Sequence, residues 1–105
     1  MAVIGNTDTD AERLRQIGDT LRDLESGVVA VLAAVSEDKI TLMAACGKAA
    51  VAAGVRAGDL IRETARICGG SGGGKPDFAM GGAKDAGKLR EALDAVRDFV
   101  KQKLE

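Results

Sequence analysis

Leu14, Ile17, Leu21 and Leu24 recur at spacings of 3, 4 and 3, with Arg13, Arg15, Arg22 and Asp23 off that stripe. This is the period of one apolar helix face. Thr9 and Glu12 stand where a capping box would open the helix, and Gly27 ends it. The pattern then changes. VVAVLAAV (28–35) is apolar and β-branched almost throughout, which predicts a strand covered on both faces. SEDK (36–39) is a polar turn, and ITLMAAC (40–46) predicts the return strand of a hairpin.

Residues 49–68 have helical composition, but Gly54 and Gly58 interrupt it, each costing about 1 kcal/mol relative to Ala. An irregular first half is expected, then a helix from Asp59 with Ile61, Ala65 and Cys68 inward, Arg62 and Arg66 on its flank, and a stop at Gly69-Gly70. PDFAM predicts a short strand ended by Gly81-Gly82. A last helix from about Lys84 carries Ala86, Leu89, Leu93, Val96, Val100 and Leu104 on one stripe. The expected fold is α+β, in the order α-β-β-α-β-α: a small sheet, made of the hairpin plus one further strand, with helices packed on it. Residues 1–105 read as one domain, in which no element is expected over MAVIGNTD.

Composition narrows what this fold can do. The apolar 46% is almost wholly aliphatic, with two Phe, no Trp and no Tyr, so base stacking on aromatic rings is not on offer. Histidine is absent, which removes Ser-His, Cys-His and histidine acid/base chemistry. Cys46 and Cys68 lack metal-ligand spacing and read as buried reduced thiols of a cytosolic protein, so no catalytic residue and no metal site is expected. No apolar run is long enough to span a membrane, and the chain reads as cytoplasmic. Net charge is −1, but its distribution is uneven: residues 1–38 hold 3 basic and 8 acidic side chains, residues 39–90 hold 9 and 4. The middle of the chain is basic.

Within that basic region lies CGGSGGGKPDFAMGG (68–82), with seven of the fourteen glycines and the only proline. Gly69, Gly70, Gly72, Gly73 and Gly74 can turn successive N–H groups inward as an anion-binding nest beside Lys75. A phosphate-hydrolysing P-loop is excluded, because no Ser or Thr follows Lys75 and Pro76 sends the chain into an extended segment. A dinucleotide fingerprint is excluded too, since here a helix precedes the glycines and a strand follows them. A flexible linker is the alternative by composition. Against it, the final helix needs the sheet to bury its stripe. Fixing so many glycines costs roughly 1–2 kcal/mol per residue, which weighs against a purely structural role.

GGSGGGKPDFAMGG, preceded by RAGDLIRETARIC and followed by KDAGKLREALDAVRDFV, resembles the globular part of the C-terminal domain of alanyl-tRNA synthetase, from about Ile17 to Leu104. The resemblance implies a fragment of a larger enzyme: a non-catalytic tRNA-binding domain that contacts the outer corner of tRNA(Ala) and helps aminoacylation and editing act on one tRNA. It implies no cofactor in this domain, with ATP and magnesium in the parent's aminoacylation site and zinc in its editing domain. It carries an RNA-binding role onto Gly70, Ser71, Gly72, Gly73, Gly74, Lys75, Pro76 and Asp77. Charge alone adds Lys48, Arg56, Arg62, Arg66 and Lys84 as phosphate contacts. The sequence departs from the family's pattern at Ser71, where a basic residue is frequent, at Lys75, where Arg is commoner, and at Met80-Gly81, where Gln-Ala is common. Two alternatives remain. One is an interaction module that joins subunits, as a homodimer or with the rest of the parent synthetase. The other is the nucleotide-binding C-terminal domain of a DHH-type phosphoesterase, which the missing histidine after the glycines weighs against.

Overall fold

A computed structural model describes residues 2–7, 10–24, 26–36 and 39–104. The central hairpin forms as the apolar runs predict: β2 (Val29–Ser36) and β3 (Lys39–Cys46) pair antiparallel from Val29↔Cys46 to Ser36↔Lys39. Val29, Val31, Ala33, Ile40, Leu42, Ala44 and Cys46 enter one core, and Ala30, Ala34, Met43 and Ala45 another on the opposite face. Burial on both faces is why these strands show no polar alternation.

The second core is roofed by α1 (Ala11–Leu24). Asp10 opens this helix, its Oδ1 accepting a hydrogen bond from the Arg13 N–H at 2.8 Å. The expected Thr9–Glu12 box rests on Thr9, which lies outside the described residues. Leu14 is buried and Ile17 and Leu21 are half-buried, whereas Leu24 is 76% exposed. The packed stripe instead includes Gly18. A Cβ there would lie 2.7 Å from both Met43 Sδ and Phe78 Cε2, so a side chain is given up for close approach of helix to sheet.

The first core is closed by α3 (Ala57–Ile67) and α4 (Leu89–Leu104). The irregular stretch before α3 is a short helix, α2 (Lys48–Ala52), then a turn at Gly54 with φ +100°. Helix α4 starts later than Lys84, after a 3-10 turn at Ala86–Lys88. The Lys84 and Asp85 N–H groups donate to the Cys68 carbonyl at 3.4 and 3.0 Å, holding the chain back against the end of α3. Leu89, Leu93, Val96 and Val100 are buried as their stripe predicts.

The α+β class holds, but the sheet is larger than expected. β1 (Ala2–Thr7), in a segment read as carrying no element, pairs parallel with β2, so β1-α1-β2 is a crossover unit. β4 (Ser71–Gly74) is made of the glycine run itself. It pairs antiparallel with β5 (Phe78–Ala83), which continues through Gly81-Gly82 rather than ending there. The sheet order is β1-β2-β3-β5-β4, with α1 on one face and α3 and α4 on the other.

Candidate nucleic-acid interface

The glycine run is neither a linker nor a nest of inward N–H groups: it is half of a tight hairpin. The Lys75 N–H donates to the Phe78 carbonyl at 2.9 Å, leaving Pro76-Asp77 as the tip. That tip is tied from two sides. The Pro76 carbonyl accepts from the Ala57 N–H at the start of α3 (2.8 Å), and the Asp77 carbonyl accepts from the Cys46 N–H at the end of β3 (2.9 Å).

Alternation along β4 separates its residues by role. Gly72, Gly74 and Gly81, the cross-strand partner of Gly72, face α3: a Cβ on Gly72 would lie 2.7 Å from Ile61 Cγ2, and one on Gly58 of α3 2.8 Å from the Gly74 carbonyl oxygen. These glycines let α3 lie on the sheet edge, a structural role that the entropy argument from sequence undervalued. Ser71 and Gly73 face the other way, in register with Gly82 and Met80 of β5 and, beyond, Thr41 and Met43 of β3. A Cβ on Gly73 would meet nothing within 4 Å. α1 covers Met43 and Phe78 but not this corner. On this face the terminal strand itself carries only the Ser71 side chain, and as a sheet edge it presents backbone groups outward.

Two concavities lie on this face. One, of about 390 Å³, is lined by Arg15, Asp19 and Arg22 of α1 and by Gly73, Gly74, Lys75 and Asp77 of the hairpin. Arg22 organises it. Its guanidinium reaches Asp77 Oδ2 and Asp19 Oδ1, both at 3.2 Å, and lies 5.9 Å from the centre of the Phe78 ring. Asp77 therefore commits its carboxylate to Arg22. The other concavity, of about 730 Å³, lies at the far end of the hairpin and is lined by Lys39, Ile40, Thr41, Gly70, Ser71, Gly82, Ala83 and Lys84.

The structure gathers some of the sequence-chosen residues and disperses others. Gly70, Ser71, Gly72, Gly73, Gly74, Lys75, Pro76 and Asp77 form one hairpin arm and its tip, and Lys84 lies at the arm's base. Lys48 lines an adjoining hollow that shares Arg22 and Asp77. Arg56 precedes Ala57, so it stands beside the tip. Arg62 and Arg66 are on the outer side of α3, across the sheet, paired with Asp59 and Glu63. The choice by sequence omitted Arg15, Arg22 and Lys39, which reach this face only through the placing of α1 and the register of β3 with β5.

Neither thiol is reactive chemistry for this face. Cys46 and Cys68 are free and buried. Burial, and then the Asp77 carboxylate, push the Cys46 thiol up to about 12. Burial, followed by Asp85 and Glu91, raises Cys68. Among the described residues no group of three His, Cys, Asp or Glu could hold a metal ion, and no helix is long and apolar enough to cross a membrane.

Comparison with known proteins gives this geometry a context. The DHHA1 domain family model matches residues 1–102. An alanine–tRNA ligase of Alkaliphilus oremlandii is 42% identical over 95 residues, and one of Shouchella clausii 47% over 92. These alignments take in 90% and 88% of this chain but 11% and 10% of the relatives, so the chain spans about a tenth of their length. The crystal structure of the C-Ala domain of Aquifex aeolicus alanyl-tRNA synthetase matches with a TM-score of 0.86 and 30% identity, covering 94% of this chain and 89% of that one.

Proposed function

Because the chain belongs to the DHHA1 domain family and is similar to the C-terminal accessory domain of alanyl-tRNA synthetase, we propose that it is the tRNA-binding accessory domain of an alanine–tRNA ligase. One observation within the chain carries this reading. At this corner of the sheet the terminal strand carries only the Ser71 side chain, and Arg15, Arg22, Lys75, Lys39 and Lys84 flank it. Cations and exposed backbone donors recognise a phosphate backbone without needing aromatic rings, which suits a chain with two Phe and no Trp or Tyr. In this reading the domain meets the outer corner of tRNA(Ala), where the D and T loops come together, and helps aminoacylation and editing act on one tRNA in the cytoplasm. ATP, magnesium and zinc are assigned to the parent's other domains.

The contact is expected to be weak in isolation, with a Kd in roughly the micromolar range or poorer, since net charge is −1 and stacking is unavailable. Tethering to an enzyme that already holds the acceptor stem would supply the remaining affinity through effective concentration. Titration of the chain with a tRNA(Ala) transcript across a salt series tests the reading. Binding at low salt that falls linearly on a log–log plot is expected; no binding, or binding indifferent to salt, refutes it.

A further inference from the structure

Lys39 and Lys84 flank the register pair Ile40↔Ala83 on adjacent strands. Both lie on the face that carries Thr41, Gly82 and Ser71, and together they line the larger concavity. Among the described residues, those that line it include two cations, two hydroxyls and no carboxylate. Elsewhere on this face Arg22 holds Asp19 and Asp77, and Arg15, Lys75 and Lys48 share hollows lined by Asp19, Asp23 or Asp77. Glu37 and Asp38, which precede Lys39, lie outside the described residues. Two like charges placed side by side across a sheet repel. An anion between them removes that cost and gains two charge-assisted hydrogen bonds.

We infer that Lys39 and Lys84, with the Thr41 and Ser71 hydroxyls, form a second phosphate site, and that an RNA strand runs over Gly73 between it and the Arg22–Lys75 groove. This rests on the RNA-binding reading and adds a direction and a length to it. From Ser71 to Lys75 is four residues along an extended strand, about 13 Å at roughly 3.3 Å each. Glycine at position 73 leaves the path unobstructed, since a Cβ there would meet nothing within 4 Å.

The test compares the 105-residue chain with Lys39→Gln/Lys84→Gln, with Gly73→Val, and with Lys101→Gln/Lys103→Gln on α4 as control, using a tRNA(Ala) transcript in a salt series. The Lys39/Lys84 variant should lower the slope of log Kobs against log[salt] by about 0.7–0.9, the contribution of one phosphate. Gly73→Val should weaken binding while keeping the thermal midpoint and most of the slope, because it obstructs the path and leaves both charge sites in place. The control should change neither slope nor affinity. If the unaltered chain binds and the Lys39/Lys84 variant keeps its slope, the second site is wrong while RNA binding stands. If Gly73→Val binds normally, the path is wrong. If the unaltered chain does not bind, both readings fall together.

Discussion

Gly72 and Gly73 are neighbours in β4 with opposite obligations. A Cβ on Gly72 would come within 2.6 Å of Gly81 Cα and 2.7 Å of Ile61 Cγ2, one of them backbone that cannot yield cheaply. Gly72→Ala should therefore cost about 1–3 kcal/mol, the range for overpacking a tight interior. Gly73→Ala meets open space and should stay within about 0.5 kcal/mol of the parent. Urea unfolding at constant m-value separates the two. Equal effects would mean that α3 does not hold the glycine strand as closely as described. The two residues are the same letter in the sequence, and a nest, a linker and a strand are all compatible with GGSGGG read alone. Only the position of Ile61 and Gly58 of α3 distinguishes them.

Among the elements, those with a strong local pattern were legible and those defined by partners were not. β2, β3, the second half of α3 and the Leu89–Val100 part of the α4 stripe follow from apolar spacing that burial then confirms, as does α1 as far as Leu21, whereas Leu24 is exposed. β1 did not, because AVIGNT has neither alternation nor a turn signal, and its strand state depends on a parallel partner more than twenty residues away. SGGG has almost no strand propensity of its own, and β4 exists because β5 and α3 hold it. Half of the candidate site was legible for the same reason: the hairpin arm is contiguous in sequence, while Arg15, Arg22 and Lys39 join it through tertiary packing. Arg22 links α1 to the hairpin tip, and its side chain is 30% exposed. A double-mutant cycle of Arg22→Ala with Asp77→Asn should give a coupling of roughly 0.5–1 kcal/mol, modest because solvent screens the pair. Arg22→Lys should recover only part, since an ammonium cannot span two carboxylates as the guanidinium does. Zero coupling would mean that α1 and the tip are held by packing alone.

For the whole molecule, the ionisable groups fix a range of pH over which stability should not move. The chain has no histidine, so no side chain of ordinary pKa changes charge between about pH 5.5 and 8. Below that range the Glu63 carboxyl, held down by its hydrogen bond from Arg66, contributes stability above its unfolded pKa and loses it as pH falls. The alkaline limit comes from the core. Cys46 titrates near 12 when folded and near 9.0 when released, and Cys68 is raised in the same direction. A raised folded pKa means that the preference for the neutral thiol is fully present below pH 9.0 and is lost as pH climbs toward about 12, because the unfolded chain gives up its protons first. The Cys46 thiol tilts the balance by up to about 1.4 kcal/mol per pH unit in that window, and Cys68 acts in the same direction. The urea midpoint should thus be flat from about pH 5.5 to 8.5 and fall above 9. An unperturbed lysine has its midpoint near 10.4, so the decisive comparison is Cys46→Ala/Cys68→Ala, whose alkaline limb should be shallower than that of the parent. An identical limb in both chains would assign the fall to the lysines. Over the flat range tRNA affinity should be constant too, since no histidine lines the open corner of the sheet.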